Sequence, residues 1–331
     1  MFDLSKTDYR IRIVVFILSI PLFILSIFRI SEYNKIVDKE KSYVREIEEL
    51  APKDIINDEP TPIISDDSSE EYKNSIFAPP EERKVQPWAK ELLQRNNEAV
   101  GWIRIPGFTD SSGNEYINYP VLQHDDNSYY LIHNLDKEYY YSGSIYVDYS
   151  DKITEIGQPD NIVLYGHHMR NLGTAFTHLA EYKSGIKLVK KCPIIEFNTI
   201  YDEGPQEYII ISCYVAAADE KQDKNLFKYW LYHYFDDEVY IFKEWLDKTL
   251  ESSWYSCDVK CDKDDDYITL STCSNEVAGM RWVITAKRLD EDYDKDAIID
   301  SYSEKTDIDI YFPDVWKRVW GEHKKYLGWN Y

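Results

Sequence analysis

The chain has 331 residues, 30% charged and 44% hydrophobic, which supplies a sizeable core and excludes wholesale disorder and collagen-like repetition. Sixty acidic residues against 38 basic ones leave a formal net charge of −22, a field that repels phosphate backbones and argues against nucleic acid as a partner. Five cysteines exclude a small disulfide framework, and the odd count leaves at least one thiol unpaired within the chain.

Residues 13–28 read IVVFILSIPLFILSIF without a charge. With their flanks they approach the roughly 20 residues that cross a bilayer as a helix, and Pro21 is tolerated in such a helix. No small-x-small cleavage site follows the run, which leads into Phe28-Arg29-Ile30, so residues 1–30 are expected to be an uncleaved membrane anchor. Lys6, Arg10 and Arg12 precede it and Arg29, Lys35, Lys39 and Lys41 follow, so charge counting does not orient it. Residues 31–86 are a stalk and linker: 31–50 are charged and helix-compatible, and 51–86 are rich in proline, serine and acid, an extended solvated spacer.

The folded region is expected to begin near Pro87, with Trp88, Leu92, Leu93 and Val100 at helical spacing behind a proline suited to a helix start. Nine short β-branched and aromatic segments follow: WIRIPG, YINYPVLQ, YYLIH, GSIYVDY, NIVLYGHH, CPIIEFN, EYIIISCYVAA, YITLSTC and RWVITAKRL. Punctuated by Gly, Pro, Asn and Asp, they predict a mainly β fold, a barrel or sandwich. The aromatic content of 15% suits such a structure. FTDSSGNEY, 108–116, reads as an expanded hairpin loop. One long interruption, 219–256, carries a helix face of Val239, Phe242, Trp245, Leu246 and Leu250, a helix inserted between late strands. In the tail, Asp292, Asp294 and Asp296 have the spacing of a calcium loop. Ala297 stands where that loop needs glycine and Ser303 where it needs glutamate, so a solvated acidic loop is expected instead. Trp316, Val319, Trp320, Tyr326 and Leu327 suggest a helix packing on the barrel.

Two strand ends carry chemistry. NIVLYGHHMRNLGTAF, 161–176, places His167 and His168 directly after a Tyr-Gly strand end. YITLSTCSNEVAGMRWVITAKR, 267–288, ends one strand at Cys273 and opens the next at Arg281. A thiol, an imidazole and a guanidinium form an acyl-transfer set: a nucleophile, a proton carrier near neutral pH and an oxyanion donor. The plainer reading makes Cys273 a small buried hydrophobe and pairs Arg281 with an acid such as Glu276. Cys213 in YIIISCY reads as such a hydrophobe, Cys192 carries no chemical signal, and Cys257 and Cys261 read as a local disulfide or two free thiols rather than a zinc pair. His124, His133, His178, His233 and His323 read as surface or packing residues without partners.

TLSTC at 269–273 followed by Arg281 resembles the TLxTC…R signature of sortases, and YGHHM at 165–169 with the trailing LGTAF resembles the histidine motif of class B sortases. VGWIRIPG, INYPVLQ, YYL, GSIYVDY and the inserted helix are similar to class B segments in the same order, so the resemblance spans about residues 87–289. It implies an eight-stranded β-barrel catalytic domain over 87–289, with 290–331 an extension beyond the matched part. It also implies a membrane-anchored cysteine transpeptidase working outside the cell. By position, Cys273 is the nucleophile, His167 the acid/base and Arg281 the transition-state cation, with Thr272 contacting substrate; no metal or other cofactor is required. The implied partners are surface proteins bearing a C-terminal sorting signal and an amine acceptor on a peptidoglycan precursor. A pilin lysine is the alternative acceptor. A membrane-tethered cysteine hydrolase and a non-enzymatic surface adhesin are the competing readings.

Overall fold

The computed structural model describes residues 4–52, 83–235, 239–290 and 293–322. The chain divides into two compact units, residues 1–46 and 47–331. The first is built from α1 (Leu4–Glu48), which runs without a break through Pro21. Every side chain from Ile11 to Ile30 is exposed, and the helix is long and apolar enough to cross a membrane. The hydroxyls of Ser19 and Ser26 donate to the carbonyls of Phe16 and Leu22, each at 2.8 Å, so these polar groups are satisfied within the helix. Most of the 51–86 spacer, residues 53–82, lies outside the described residues.

In the second unit the described chain resumes at Arg83, a few residues before the expected Pro87. The Arg83 N–H donates to Glu155 O at 2.7 Å, and its guanidinium donates to Thr154 O at 2.6 Å. The helix α2 (Ala89–Arg95) follows and buries Ala89 and Leu92. Eight strands then close into a barrel. They are β1 (Ala99–Arg104), β2 (Asn118–Leu122), β3 (Ile145–Val147), β4 (Asn161–Tyr165), β5 (Ile194–Thr199), β6 (Glu207–Ala216), β8 (Tyr267–Cys273) and β9 (Arg281–Arg288), with β7 (Tyr255–Ser256) outside it. Around the barrel the order is β1-β2-β3-β4-β8-β9-β6-β5, closed by β1 against β5.

Of the nine predicted segments, YYLIH is not a strand. Strands β2 and β3 pair in parallel, Val121 opposite Ile145, so the chain between them must cross back, and parallel neighbours need such a connection. Tyr129–Leu131 form a 3-10 turn within that crossover, fixed by Asp126, whose carboxylate accepts from the N–H groups of Ser128 and Tyr129 at 2.6 and 2.9 Å. The 108–116 segment is a hairpin loop, bridged by Thr109 and Glu115.

Alternation along β8 and β9 sets the two faces of the sheet. Ile268, Leu270, Trp282 and Ile284 enter the barrel core, whereas Tyr267 and Val283 join a second cluster on the outside with Phe235, Phe242 and Trp245. That second cluster is where α4 (Val239–Ser252) docks: Trp245 is fully buried, its ring centroid 4.8 Å from Tyr267 and 4.9 Å from Phe235. Leu250 departs from the expected helix face and is exposed, since the sheet beneath covers only the stripe through Phe242 and Trp245. The short α3 (Ile186–Lys191) links the turn after β4 to β5.

The tail is built rather than loose. Asp294 caps α5 (Lys295–Ser301), accepting from the Ala297 N–H at 3.0 Å, so the acidic run is in part a helix entry where a solvated loop was expected. Asp292 lies outside the described residues. Beyond α5, β10 (Ser303–Glu304) pairs with β7, and α6 (Asp314–Trp320) buries Trp316 completely. Val319 is exposed, while Tyr326 and Leu327 lie outside the described residues.

Replacing Trp245 by alanine removes the largest side chain between α4 and the barrel and is expected to cost about 3–5 kcal/mol in urea unfolding. Leu250→Ala, on the exposed side of the same helix, is expected to stay within about 0.5 kcal/mol of the parent.

Candidate active site

The end of β4 is tied to the end of β8 by backbone and side chain. Tyr165 lies beside Ser271 in parallel register, the Gly166 N–H donates to Ser271 O at 3.3 Å, and the Thr272 hydroxyl donates to Gly166 O at 2.7 Å. Gly166 is obligatory here, because a Cβ would lie 2.8 Å from the Phe176 ring. Thr272 is therefore buried and its hydroxyl engaged by the neighbouring strand end; it holds the site together from the inner face.

His167 and His168 part company at this corner. His168 is buried and its Nδ1 donates to the Cys273 carbonyl at 2.9 Å. Burial pushes its pKa below the usual imidazole range, a shift that the Cys273 carbonyl opposes and that the Lys183 and Arg170 cations favour. His167 is half-buried, and its Nε2 donates to Leu131 O at 2.9 Å, in the 3-10 turn of the crossover. Among the described residues no hydrogen bond joins His167 to the Cys273 thiol.

Cys273 faces Arg281 across the β8–β9 pair, both on the outward face shared with Ser271 and Val283. Arg281 Nη1 lies 3.5 Å from Cys273 Sγ and 3.5 Å from the carbonyls of Gly279 and Met280. Two tyrosines that sequence reading missed wall this place. Tyr229 donates to or accepts from Ser271 Oγ at 2.7 Å, and burial pushes its phenol up to about 12 against the pull of Arg281. Tyr146 is raised by burial too, and feels both Arg281 and Cys273. Tyr146 lies in GSIYVDY, read for its strand composition and order, and Tyr229 lies in no such segment; the chain has many other tyrosines, so pattern alone does not single out these two.

The loop from Ser274 to Met280 is anchored below by an ion pair. Lys183 Nζ contacts Glu276 at 2.7 Å with both side chains buried, Ser274 Oγ donates to Glu276, and the ammonium sits 5.0 Å from the Trp282 ring centroid. Burial works against the Glu276 charge, but Lys183 and Ser274 outweigh it and hold the carboxyl below its usual range. Glu276 is thus the partner of Lys183, and the expected alternative of an Arg281–Glu276 bridge is not formed.

All five cysteines are free thiols, so no disulfide joins Cys257 to Cys261. Burial raises the thiols of Cys192 and Cys213, and pushes Cys257 up to about 11 and Cys261 to about 12. A raised thiol is a poor nucleophile. Cys257, Cys261 and Cys273 are all partly exposed, but of these only Cys273 has a guanidinium at its sulfur. The remaining described histidines do have partners. His233 pairs with the buried Asp151, His178 with Glu181 at 2.5 Å, His124 with Glu98 at 3.3 Å, and His133 with the Tyr129 carbonyl at 2.7 Å. His323 lies outside the described residues. A cavity of about 240 Å³ opens beside Trp88, Trp102 and Arg104, on strands across the barrel from β8, and its lining contains no thiol.

The sortase-domain family profile matches residues 103–289, which include both strand ends. The chain belongs to the sortase family, in class B. It is 30% identical over 205 residues to sortase B of Staphylococcus aureus, covering 61% of this chain and 75% of that one. Against sortase B of Listeria monocytogenes it is 30% identical over 215 residues, covering 64% and 78%. In three dimensions it is similar to a Staphylococcus aureus sortase B–substrate complex, with a TM-score of 0.52 and 29% identity over 62% of this chain and 87% of that chain. The barrel, the inserted helix and the N-terminal helix are thus those of a class B sortase, a cysteine transpeptidase.

The Lys183–Glu276 pair makes this sortase sensitive to single changes behind its loop. Lys183→Met leaves a buried carboxylate uncompensated and is expected to cost about 3–5 kcal/mol, whereas Lys183→Met with Glu276→Leu recovers most of the loss in urea unfolding.

Proposed function

We propose that Cys273 is the nucleophile, His167 the acid/base and Arg281 the oxyanion and substrate cation of a transpeptidase that joins surface proteins to the cell wall. The observation that carries this reading is the cross-strand placement of Arg281 Nη1 at 3.5 Å from Cys273 Sγ. The Cys273 thiolate attacks the carbonyl of a threonine in a C-terminal sorting signal. The resulting oxyanion takes hydrogen bonds from the Arg281 fork. His167 leaves the Leu131 carbonyl, protonates the departing amine, and a thioester remains on Cys273. An amine of a peptidoglycan precursor then attacks the thioester and gives its proton to His167. Collapse forms the new amide and returns the thiolate. His168 is spent on the Cys273 carbonyl and supports the thiol from the inner face. Thr272 serves through its bond to Gly166.

In this reading α1 is a single-pass anchor, the short N-terminus is cytoplasmic and the barrel works on the outer side, where sorting signals and wall precursors meet. The test is to incubate the full chain in detergent micelles with sorting-signal peptides and amines. Capture of the acyl group as an amide supports it. Release of free acid alone, whatever amine is added, points to a hydrolase, and preference for a pilin lysine over a wall peptide points to pilus assembly. Cys273→Ala is expected to abolish turnover.

His167→Ala is expected to be far more damaging than His168→Ala, because neighbouring residues at a strand end point to opposite faces and His168 is already engaged by the Cys273 carbonyl. Equal losses in two folded variants remove the basis for choosing between them.

Arg281→Lys replaces a fixed fork by a mobile point charge and is expected to lower kcat/KM by roughly 10²-fold or more with little change in Tm. A near-normal turnover with a lowered Tm instead makes Arg281 a structural residue.

A further inference from the structure

The sortase-domain match ends at residue 289, yet the chain after it completes the barrel's own core. Tyr302, Phe312 and Trp316 join the same buried cluster as Trp282 and Cys213, with Trp316 at 6.3 Å and Trp282 at 5.0 Å from the Trp254 ring between them. Trp282 stands opposite Thr272, one residue from the Cys273–Arg281 pair.

A second route from the tail to the site is more direct. The Val315 N–H donates to Gln222 O at 2.8 Å, and the Lys224 N–H donates to Asp314 Oδ2 at 3.2 Å. The Tyr311 hydroxyl sits 2.8 Å from both oxygens of the buried Asp223. These contacts seat residues 222–224, in the connection from β6 to α4, on the tail. The Gln222 side chain then reaches the other way. Its Nε2 donates to Ala278 O at 3.0 Å, and its Oε1 accepts from the Ala218 N–H at 2.8 Å. Gly279, next in the loop, has φ +80°, and a Cβ there would lie 2.5 Å from Gln222 Nε2. The Gly279 carbonyl is one of the two that hold Arg281 Nη1. The sequence of contacts therefore runs from α6 to Gln222, to the Ala278–Gly279 peptide, to Arg281 and its neighbour Cys273.

We infer that residues 302–320 are a positioning element of the active site, acting through Gln222 on the 274–280 loop to fix Arg281 against Cys273. The inference rests on the reading that Cys273 and Arg281 carry the chemistry. Lys183 and Glu276 grip the loop from the buried side; Gln222, held by the tail, grips it from the outer side. Releasing the outer grip lets the guanidinium drift while the thiol and the peptide-binding walls stay in place. The transition state should suffer more than substrate binding.

The test uses the full chain carrying Gln222→Glu, which sets a carboxylate against the Ala278 carbonyl, and Gln222→Met, which removes the donor without adding charge. Both are expected to lower kcat by roughly tenfold or more while KM changes by less than about threefold, since misplacing a catalytic group by an ångström costs on that scale. Tyr311→Phe, which loosens only the tail's hold on Asp223, is expected to lower kcat less, and its effect is expected not to add to that of Gln222→Glu. Unchanged kcat in both folded Gln222 variants overturns the inference, and so does a loss of kcat that merely tracks the folded fraction. Full additivity with Tyr311→Phe overturns the route through Gln222. Cys273→Ala and Arg281→Lys run alongside separate the two readings: wild-type turnover in either means the site assignment itself has failed, whereas loss in both with intact Gln222 variants means only the tail's role has failed.

Discussion

The pairing of Cys273 with Arg281 across β8 and β9 is the constraint on which the site depends. Antiparallel strands bring directly opposite residues to the same face, so once the register is set the two side chains leave the sheet side by side, and the carbonyls of Gly279 and Met280 then hold the guanidinium beside the sulfur. A slip of one residue would turn both toward the barrel interior and bring Thr272 and Trp282 outward. The register is protected by what those two inward residues do. Trp282 fills the core and donates to the Leu179 carbonyl at 2.9 Å, and Thr272 donates to Gly166. Core packing and the meeting of Cys273 with Arg281 are therefore enforced by adjacent residues of the same two strands.

Much of the fold was legible because its strands are short, β-branched and separated by turn residues, and eight of the nine predicted segments are barrel strands. The ninth, YYLIH, has strand composition but lies where parallel pairing of β2 and β3 demands a crossover, a fact of topology that no local pattern carries. The meeting of Cys273 with Arg281 at the ends of two neighbouring strands was legible through motif and spacing. The support behind it was not. Lys183 sits in an ordinary polar stretch, and its partner Glu276 lies 93 residues away, so only the folded barrel brings them together. The same holds for Gln222, whose surroundings read as a hydrophilic connection. Thr272 was expected to contact substrate; its bond to Gly166 depends on how the two strand ends meet, which no local pattern carries.

The tail shows how composition misleads about packing. Its acidic run reads as solvated surface, and Asp294 does use its carboxylate locally, as a helix cap. A few residues on, Tyr302 and Phe312 are almost wholly buried, and so is Trp316, the one of the three that was expected to pack on the barrel. Widely spaced aromatics in a polar sequence carry little periodic signal, but each buries a large area when a barrel end is open to receive it.

The uneven surroundings of the five sulfurs have a practical consequence. In the folded chain four thiols are pushed toward their protonated form, and one stands half-open beside a cation. A mild electrophile is therefore expected to react first at Cys273, one thiol of five. Unfolding cancels that distinction at a stroke. The number of adducts per molecule, read by mass, becomes a direct gauge of how much of the population retains the barrel.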